Sequence, residues 1–412
     1  MPARQIRAGP VSSPLVISIE EARDIVAAKV QCLSATEPIE LPAAHRRVLR
    51  QDVAARDYFP AADVSMMDGF AVRADDASER RRIVGEVRAG FAFDGIVSDG
   101  ECVRIFTGAP LPEGADAVIP QEDTTVDADF MIVVQRPPKR WVRRRGSEGR
   151  PGQVIAPAHL RLGGVEIAAL AQAGCVRPQT STPLRVAQIA TGDEIVDAMT
   201  EPPPGKIRDT NSLLLRGLIE EFGADYSTQR CGDVLADLVT SIQSKDASLI
   251  LISGGASVGA YDFGARALRE CGFTIHFDKV NLRPGKPLNF ATREEQVAFV
   301  IPGNPVSHFV CFQTVIRLAV ERLAGLEPAW SFIEMTLGGS ESLPSDARET
   351  FWPARGVVRD GRLVAEPKQW SSSGDTFSLV GTNALVRLPR AGEPISPGAK
   401  VPTLLLDVPG AT

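Results

Sequence analysis

The apolar positions of this chain follow three patterns, which divide it into regions of different predicted structure. Between residues 19 and 30 apolar side chains recur at helical spacing behind Ser18, which predicts a helix with Ser18 as its N-cap. From 81 to 138, and again after Gly325, short apolar runs alternate with Gly, Pro and Asp, which is typical of β-rich modules. From Pro183 strand-like and helix-like runs alternate, which predicts a doubly wound α/β domain.

These patterns together predict a multi-domain protein of α/β plus all-β class, in which a central doubly wound domain is flanked by β-rich domains. A chain of 412 residues is also too long for one ordinary core. The predicted domains are an N-terminal linker and helical domain (14–55 and 150–182), an inserted β-rich domain (56–149), the α/β domain (183–326) and a C-terminal β-rich domain (327–412).

Two helices of the α/β region have residues typical of helix ends at their predicted boundaries. Thr210 or Asn211 is predicted to cap the first helix, and Gly223 is predicted to end it. Asp233 is predicted to cap the second.

Three loops of the α/β region follow predicted strands and are candidates for ligand binding. They are T-G-D-E at 191–194, S-G-G-A-S-V-G at 253–259 and P-G-N-P at 302–305. Because parallel strands end at one edge of a sheet, these loops are expected to converge, and their bare amides would favour an anion. For the central loop alone, a tight turn closed by Asp262 as an N-cap is an equally good interpretation.

Charged side chains near these loops predict a site for a hard cation and for an oxyanion. Carboxylates could hold Mg²⁺, and the candidates are Asp68, Asp193, Glu194, Asp233 and Asp262. Positive charge for a phosphate or another oxyanion would come from Lys279, Arg283 and Lys286.

The β-rich region from 56 to 149 adds candidates for which a structural interpretation is also open. Thr107 and the Gly108 amide could hold an oxyanion. Asp68 and Gly69 could instead form only a hairpin turn. The basic run from Lys139 to Arg145 is typical of a solvated face, although phosphate binding is a second possibility.

Composition excludes several classes of protein. The net charge of −6 argues against a general nucleic-acid binder. The six cysteines form no C-x-x-C pair and the four histidines have no zinc spacing, which predicts reduced thiols and a cytoplasmic location. No apolar run is long enough for a membrane span or a signal peptide. The motifs of kinases, dehydrogenases and Ser-His-Asp hydrolases are also missing.

Seven motifs in a constant order resemble the molybdopterin molybdenumtransferase family, which includes the E domain of gephyrin. The motifs are M-M-D-G-F-A-V, T-G-A-P-L-P-E-G-A-D, T-G-D-E, D-T-N-S, S-G-G-A-S-V-G, R-P-G-K-P and P-G-N-P. The resemblance runs from about residue 15 to the C-terminus. It implies insertion of molybdenum from molybdate into adenylylated molybdopterin, with Mg²⁺-dependent release of AMP, by an elongated homodimer whose α/β domain binds molybdopterin.

The resemblance also implies roles for individual residues. The implied catalytic residues are Asp68, Thr107, Glu148, Glu194, Asp233 and Asp262, of which Asp68, Glu194 and Asp262 would bind the metal. The implied substrate-binding residues are Ser253, Gly254, Gly255, Ser257, Gly259, Lys279, Arg283, Lys286, Pro302, Asn304 and Pro305.

Two positions depart from the family pattern. Arg283 stands where the family usually has lysine, and it keeps the charge while adding a planar fork. Glu148 stands where the family has the aspartate of R-x-G-E-D, and its side chain is one methylene longer.

Two other functions remain alternatives at this stage. One is a non-catalytic molybdopterin-binding scaffold, and retention of Asp68, Glu194 and Asp262 argues against it. The other is a molybdopterin adenylyltransferase, whose fold resembles residues 183–325 alone. An adenylyltransferase and client molybdoenzymes are possible partners, whereas neither nucleic acid nor a membrane is expected.

Overall fold

The computed structural model describes residues 16–137, 139–255, 263–328 and 330–406. Helix α1 follows Ser18, which confirms the predicted cap: the Ser18 hydroxyl accepts from the Glu21 amide, and the Glu21 carboxylate accepts from the Ser18 amide. The elements up to residue 181 are α1 Ile19–Lys29, β1 Thr36–Pro38, β2 Val53–Ala54, β3 Val64–Ser65, β4 Gly69–Val72, β5 Arg80–Val87, β6 Glu101–Ile105, β7 Ala117–Pro120, β8 Thr124–Asp127, β9 Phe130–Val133, β10 Val142–Arg143, β11 Val154–Ala156, α2 Gly164–Gln172 and β12 Gln179–Ser181.

The predicted β-rich module between residues 81 and 138 is present as one sheet of order β7-β4-β6-β5-β9-β8. Strand β4 pairs with β6 and β7, whereas β3 pairs with β10. The hairpin interpretation of Asp68 and Gly69 is therefore wrong, because the two strands that flank them do not pair with each other. Apolar side chains on the two faces of this sheet form separate clusters.

A smaller unit joins two segments that are distant in sequence. Strand β1 pairs with β12 and β2 pairs with β11, both antiparallel. Leu49, Leu162 and Leu170 are fully buried in its core. The β-rich sheet described above lies between these segments in sequence, so its residues are inserted into this unit.

The central region forms the α/β domain. Its elements are β13 Arg185–Thr191, β14 Ile195–Val196, β15 Ile207–Arg208, α3 Thr210–Glu220, β16 Asp225–Cys231, α4 Leu235–Gln243, β17 Leu249–Ser253, α5 Phe263–Glu270, β18 Thr274–Phe277, β19 Leu282–Arg283, β20 Asn289–Arg293, β21 Gln296–Ile301, α6 Pro305–Cys311, a π-helical segment Phe312–Ile316 and α7 Arg317–Ala324. The main sheet has the order β16-β13-β17-β21-β20-β18. Strands β16, β13, β17 and β21 are parallel, and β20 runs against its neighbours.

The uninterrupted apolar sequence of β17 reflects burial on both faces of this sheet. Leu249 and Leu251 pack into a cluster that also contains α1, α6 and α7, whereas Ile250 and Ile252 pack against α4 and α5. A strand covered by helices on both sides needs apolar residues at every position. Helix α1 therefore packs against the α/β domain, and the predicted domain bounds 14–55 stay a prediction.

The cap residues of two helices differ from the prediction. Helix α3 is capped by Asp209, whose carboxylate accepts from the Ser212 amide at 3.0 Å, and not by Thr210 or Asn211. Helix α4 begins after Val234, so Asp233 lies one position too early to cap it. Both errors arise because several neighbouring residues can cap a helix, and only the tertiary path of the chain selects one.

The C-terminal β-rich module is also present as predicted, and it closes into a barrel. Its strands are β22 Ile333–Leu337, β23 Glu349–Arg359, β24 Arg362–Pro367, β25 Ala384–Leu388 and β26 Lys400–Leu405. The order β19-β23-β24-β22-β26-β25 closes because β23 also pairs with β25. Strand β19 of the α/β region joins it through β23. No described helix is long and apolar enough to cross a membrane.

Candidate active site

The first candidate site, which we call the acidic pocket, lies where β13, β17 and β21 end. It has a volume of about 350 Å³. The predicted convergence of the three loops is thus correct for their described residues. The lining residues are Ala190, Thr191, Gly192, Glu194, Ile195, Ile207, Asp209, Asn211, Asp233, Ser253, Gly254, Gly255, Phe263, Gly303 and Asn304.

Two glycines allow the end of β17 to approach β13 closely. Gly254 has a φ of +94° and Gly255 a φ of +67°, a region that other residues rarely adopt. A Cβ on Gly254 would lie 2.7 Å from the Thr191 carbonyl oxygen. The Gly254 amide donates to the Ile301 carbonyl at 3.0 Å, which ties the end of β17 to the end of β21.

Asn211 provides a polar group that the sequence interpretation treated only as a cap. Its Nδ2 donates to the Gly303 carbonyl at 2.6 Å. Its Oδ1 is buried and has no hydrogen-bond partner among the described residues. A buried oxygen without a donor is destabilising, so this oxygen is suited to a ligand or a cation.

The hydroxyl of Ser253, at the end of β17, forms a hydrogen bond with His308 of α6. Ser253 Oγ lies 2.7 Å from His308 Nε2, and His308 Nδ1 lies 3.2 Å from the Asn304 carbonyl oxygen. Because only a protonated Nδ1 can bond a carbonyl, Nε2 accepts from the serine. Burial lowers the pKa of His308 to about 4, so the ring is neutral at physiological pH.

The acidic residues in and beside the acidic pocket have different hydrogen-bond partners. The Asp233 amide donates to Asp193 Oδ1 at 3.2 Å, and the Asp193 amide donates to Asp233 Oδ2 at 3.4 Å. These two bonds join the T-G-D-E loop to the chain before α4. Asp209 is engaged by Ser212. In the part of the chain that the structure describes, no group of three or more His, Cys, Asp or Glu is placed to hold a metal.

The second candidate site, which we call the basic pocket, lies between the α/β domain and the barrel and measures about 390 Å³. It shares Gly303 and Asn304 with the acidic pocket. Its lining residues are Arg283, Pro284, Gly285, Lys286, Pro287, Pro302, Gly303, Asn304, Ser307, Arg348, Trp370, Ser371, Ser372 and Ser373. The Asn304 side chain donates to Ser373 Oγ at 2.7 Å across the junction.

Asp346 orients two cations of the basic pocket. It accepts from the Arg348 amide at 2.9 Å and from Arg348 Nε at 3.0 Å, and it lies 3.3 Å from Arg283 Nη1. Partial burial would raise the pKa of Asp346, but the hydrogen bonds from Arg348 and the charges of both arginines hold it below its ordinary value. Arg283 also lies over the Trp370 ring, 5.3 Å from its centre. With three cations and one internal carboxylate, this pocket favours an anion.

Asp68 and Thr107 form a pair on the β-rich domain. One carboxylate oxygen of Asp68 accepts from both the backbone amide and the hydroxyl of Thr107, each at 2.8 Å. These two bonds, with the nearby charge of Arg104, lower the pKa of Asp68. Asp68 therefore carries a fixed negative charge near neutral pH.

Glu148 lies in the same domain and pairs with Arg143 at 2.9 Å, with both side chains about 44% exposed. Other members of the basic run also have local partners: Arg140 pairs with Asp116, and Arg144 with Asp63. These ion pairs favour the interpretation of Arg140, Arg143 and Arg144 as part of a solvated face.

The structure brings some predicted residues together and leaves others apart. Glu194, Asp233, Ser253, Gly254, Gly255 and Asn304 line the acidic pocket; Arg283, Lys286, Pro302 and Asn304 line the basic pocket; and Pro305 begins α6. Lys279 lines neither pocket. Ser257, Gly259 and Asp262 lie outside the described residues. Among the described contacts, none joins Asp68, Thr107 or Glu148 to either pocket.

Sequence reasoning missed part of the basic pocket. Arg348 and Trp370 through Ser373 come from the C-terminal module, about 60 or more residues after Lys286 in sequence, and they line the pocket. The only signal was W-S-S-S-G, a polar run between predicted strands.

Comparisons with known families cover nearly all of the described chain. Residues 17–174 match the MoeA N-terminal region (domain I and II). Residues 187–322 match a probable molybdopterin binding domain, and residues 339–406 match the MoeA C-terminal region (domain IV).

Individual relatives agree with these matches. A molybdopterin molybdenumtransferase of Nostoc sp. is 33% identical over 390 residues, 90% of this chain and 89% of the relative. One from Haemophilus influenzae is 31% identical, over 75% and 78% of the two chains. The crystal structure of a molybdopterin biosynthesis moea protein from Pyrococcus horikosii matches with a TM-score of 0.79 at 26% identity, covering 95% of this chain and 99% of that one. The chain therefore belongs to the molybdopterin molybdenumtransferase family.

Proposed function

We propose that this transferase inserts molybdenum from molybdate into adenylylated molybdopterin and releases AMP. One observation carries the proposal: the acidic and basic pockets adjoin at Gly303 and Asn304. One pocket supplies oxygen ligands and bare amides, and the other supplies three cations. A reaction that joins a phosphorylated substrate to an oxyanion needs both environments side by side.

The acidic pocket is the proposed site of the adenylylated molybdopterin phosphates. Gly254 and Gly255 have no side chain of their own beyond Cα, so at the described end of β17 they leave the backbone open to a phosphate. Two oxygen donors of the acidic pocket are of the type that Mg²⁺ prefers, the Glu194 carboxylate and the unpartnered Asn211 Oδ1, and substrate phosphates would supply further ligands. These two residues would hold it, and Mg²⁺ would neutralise phosphate charge when AMP leaves.

The basic pocket is the proposed site of molybdate. Molybdate is a compact dianion, and Arg283, Lys286 and Arg348 present positive charge from both domains that line the pocket. Asp346 fixes the directions of both arginines, so the donors are placed before the anion arrives. Asn304, which lines both pockets, would hold the two substrates in position relative to each other.

We further propose that a second subunit completes the site. Asp68, Thr107 and Glu148 resemble family residues of the site, yet the described contacts of one chain keep them apart from both pockets. A homodimer that places the β-rich domain of one subunit over the pockets of the other would unite them. The cysteines are all free, which agrees with the cytoplasmic location that we propose.

The test is molybdate-stimulated AMP release from adenylylated molybdopterin by the purified protein, with and without Mg²⁺. We expect release to require both ions and to fall at least tenfold in Arg348→Gln, because one charge-assisted hydrogen bond contributes roughly 1.5–3 kcal/mol. The matched control is Arg359→Gln, which removes an exposed arginine of the same module that pairs with Glu366. Tight substrate binding without AMP release would instead support the scaffold function.

A further inference from the structure

A third pocket lies in the β-rich domain, and the proposed reaction does not use it. We call it the β-domain pocket. Its volume is about 210 Å³. Its wall contains the apolar side chains of Val72, Ile119 and Val133, which belong to the cluster on one face of the β-rich sheet. The remaining wall is unusually basic, with Arg73, Arg81, Arg136, Lys139 and Arg140.

Arg81 is the observation that points to a ligand. Its side chain is only 3% exposed, its Nε donates to Asp76 at 3.1 Å and its Nη2 donates to the Asp76 carbonyl at 2.7 Å. Its Nη1 is buried and has no partner among the described residues. A buried cationic N–H without an acceptor is strongly unfavourable, so an acceptor from a bound molecule would satisfy it.

Asp76 does not accept from Arg81 Nη1 in the described structure, and its carboxylate oxygens already have other donors. One of its carboxylate oxygens accepts from the Ser78 amide at 2.8 Å, and the other accepts from the Gly100 amide at 3.0 Å as well as from Arg81. The carboxylate is therefore held in place and neutralises the single charge of the Arg81 guanidinium.

Two further cations of the wall have no carboxylate partner in the described structure. Arg136 donates to the Ala77 carbonyl, and Lys139 Nζ lies 3.6 Å from the centre of the Trp141 ring. The other two are neutralised, since Arg73 pairs with Asp75 and Asp99, and Arg140 pairs with Asp116. The net positive charge that remains at the pocket comes from Arg136 and Lys139.

We propose that the β-domain pocket binds a small organic phosphate monoester. Two uncompensated cations and one unpartnered guanidinium N–H suit a ligand with two negative charges better than a ligand with a single carboxylate. The apolar wall of Val72, Ile119 and Val133 suits a short carbon body attached to it. The site is separate from the acidic and basic pockets and does not depend on the reaction proposed for them.

The four tryptophans allow this site to be observed separately from the others. With 5-fluorotryptophan incorporated, Trp141 reports on the β-domain pocket through Lys139, and Trp370 reports on the basic pocket. We expect phenyl phosphate to shift the ¹⁹F resonance of Trp141 saturably at one site per chain, with a Kd below about 1 mM. Substitution Trp141→Phe assigns the resonance.

Variants decide whether the binding is specific. Arg136→Gln leaves Lys139 on Trp141 and should raise the Kd about tenfold. Arg82→Gln removes an exposed arginine of β5, the strand that carries Arg81, outside the pocket, and should not change the Kd. Phenylacetate, with the same ring and one charge, should bind more weakly. The proposal fails if Trp141 does not respond up to about 10 mM, if Arg136→Gln leaves the Kd unchanged, or if phenylacetate binds as tightly.

Discussion

At the scale of the residue, the charge of Asp68 depends on Thr107. Two hydrogen bonds from Thr107 stabilise the carboxylate, and they lower its pKa. A depressed carboxyl pKa adds stability above the pKa of the unfolded chain, and this contribution is lost as the pH falls through the folded pKa. Asp68 therefore keeps the negative charge that the proposed reaction needs, even when the pH is low.

Thr107→Val should raise the pKa of Asp68, because it removes the hydroxyl donor and keeps the side-chain shape. The acid limb of the pH profile of AMP release should then move to higher pH. The rate at neutral pH should fall on the order of tenfold, because the carboxylate loses one of the two bonds that hold it in position. Thr124→Val is the control, since Thr124 lies on β8 of the same sheet and, among the described residues, its hydroxyl donates only to the Gln121 carbonyl. An unchanged acid limb would show that Thr107 does not set the charge of Asp68.

Glu148 offers a second prediction at this scale. We expect Glu148→Asp to be neutral or to improve AMP release, because aspartate restores the family residue, and Glu148→Gln to impair it. The ion pair with Arg143 is exposed and contributes about 0–1 kcal/mol, so neither change should alter the melting temperature greatly. Arg143→Gln is the control for loss of the pair alone. Full activity of Glu148→Gln would remove this position from the site.

At the scale of the element, His308 couples α6 to the end of β17. Its folded pKa of about 4 lies below its ordinary value of 6.5. The neutral ring therefore stabilises the fold above pH 6.5, and that stability is lost as the pH falls to 4, by about 3 kcal/mol in total.

His308→Leu should destabilise the protein by about 1–3 kcal/mol at pH 7, because Ser253 loses its acceptor. His308→Gln retains a group that can accept and should be milder. In both variants the loss of stability between pH 6.5 and 4 should become smaller, as measured by denaturant unfolding. The exposed His45→Gln should keep the wild-type pH dependence. If the His308 variants also keep the wild-type pH dependence of stability, a group other than His308 causes that dependence.

The turn after β17 gives a second prediction for elements. Gly254→Ala should cost roughly 3 kcal/mol or more, because it adds a strained φ and places a Cβ against the Thr191 carbonyl. Gly205→Ala is a matched control in the same domain, with a φ of +83° and nothing within 4 Å of the added atom, and should cost about 1–2 kcal/mol. Equal costs, measured by denaturant unfolding, would mean that the approach to Thr191 is not close.

At the scale of the whole molecule, the proposed homodimer places Asp68 of one subunit at the acidic pocket of the other. Asp68→Asn and Glu194→Gln homodimers should then both be inactive. A heterodimer of the two should have one intact site, so statistical mixing should give about a quarter of wild-type AMP release.

The measurement is AMP release after co-expression, with native mass spectrometry to count heterodimers. If the whole site lay within one chain, every subunit of the heterodimer would carry one defect. Heterodimers without activity would therefore rule out the shared site, and the proposed reaction itself would still stand on the wild-type assay.

The sequence by itself determined features that depend on a few consecutive residues or on simple periodicity. The Ser18 cap followed from a serine placed directly before an apolar repeat of helical spacing, and the structure contains both reciprocal bonds of a capping box at Ser18. The convergence of the loops after β13, β17 and β21 followed from parallel pairing. The β-rich modules followed from regular turn residues between short apolar runs.

Only the tertiary structure decided which side chains from distant segments meet. Among Asp209, Thr210 and Asn211, any could cap α3, and Asn211 is instead used to reach Gly303. Arg348 joined Arg283 because β19 pairs with β23 of the barrel, a contact between strands more than 60 residues apart. Such contacts depend on packing of the whole domain, whose free energy is spread over many residues and leaves no local pattern to read.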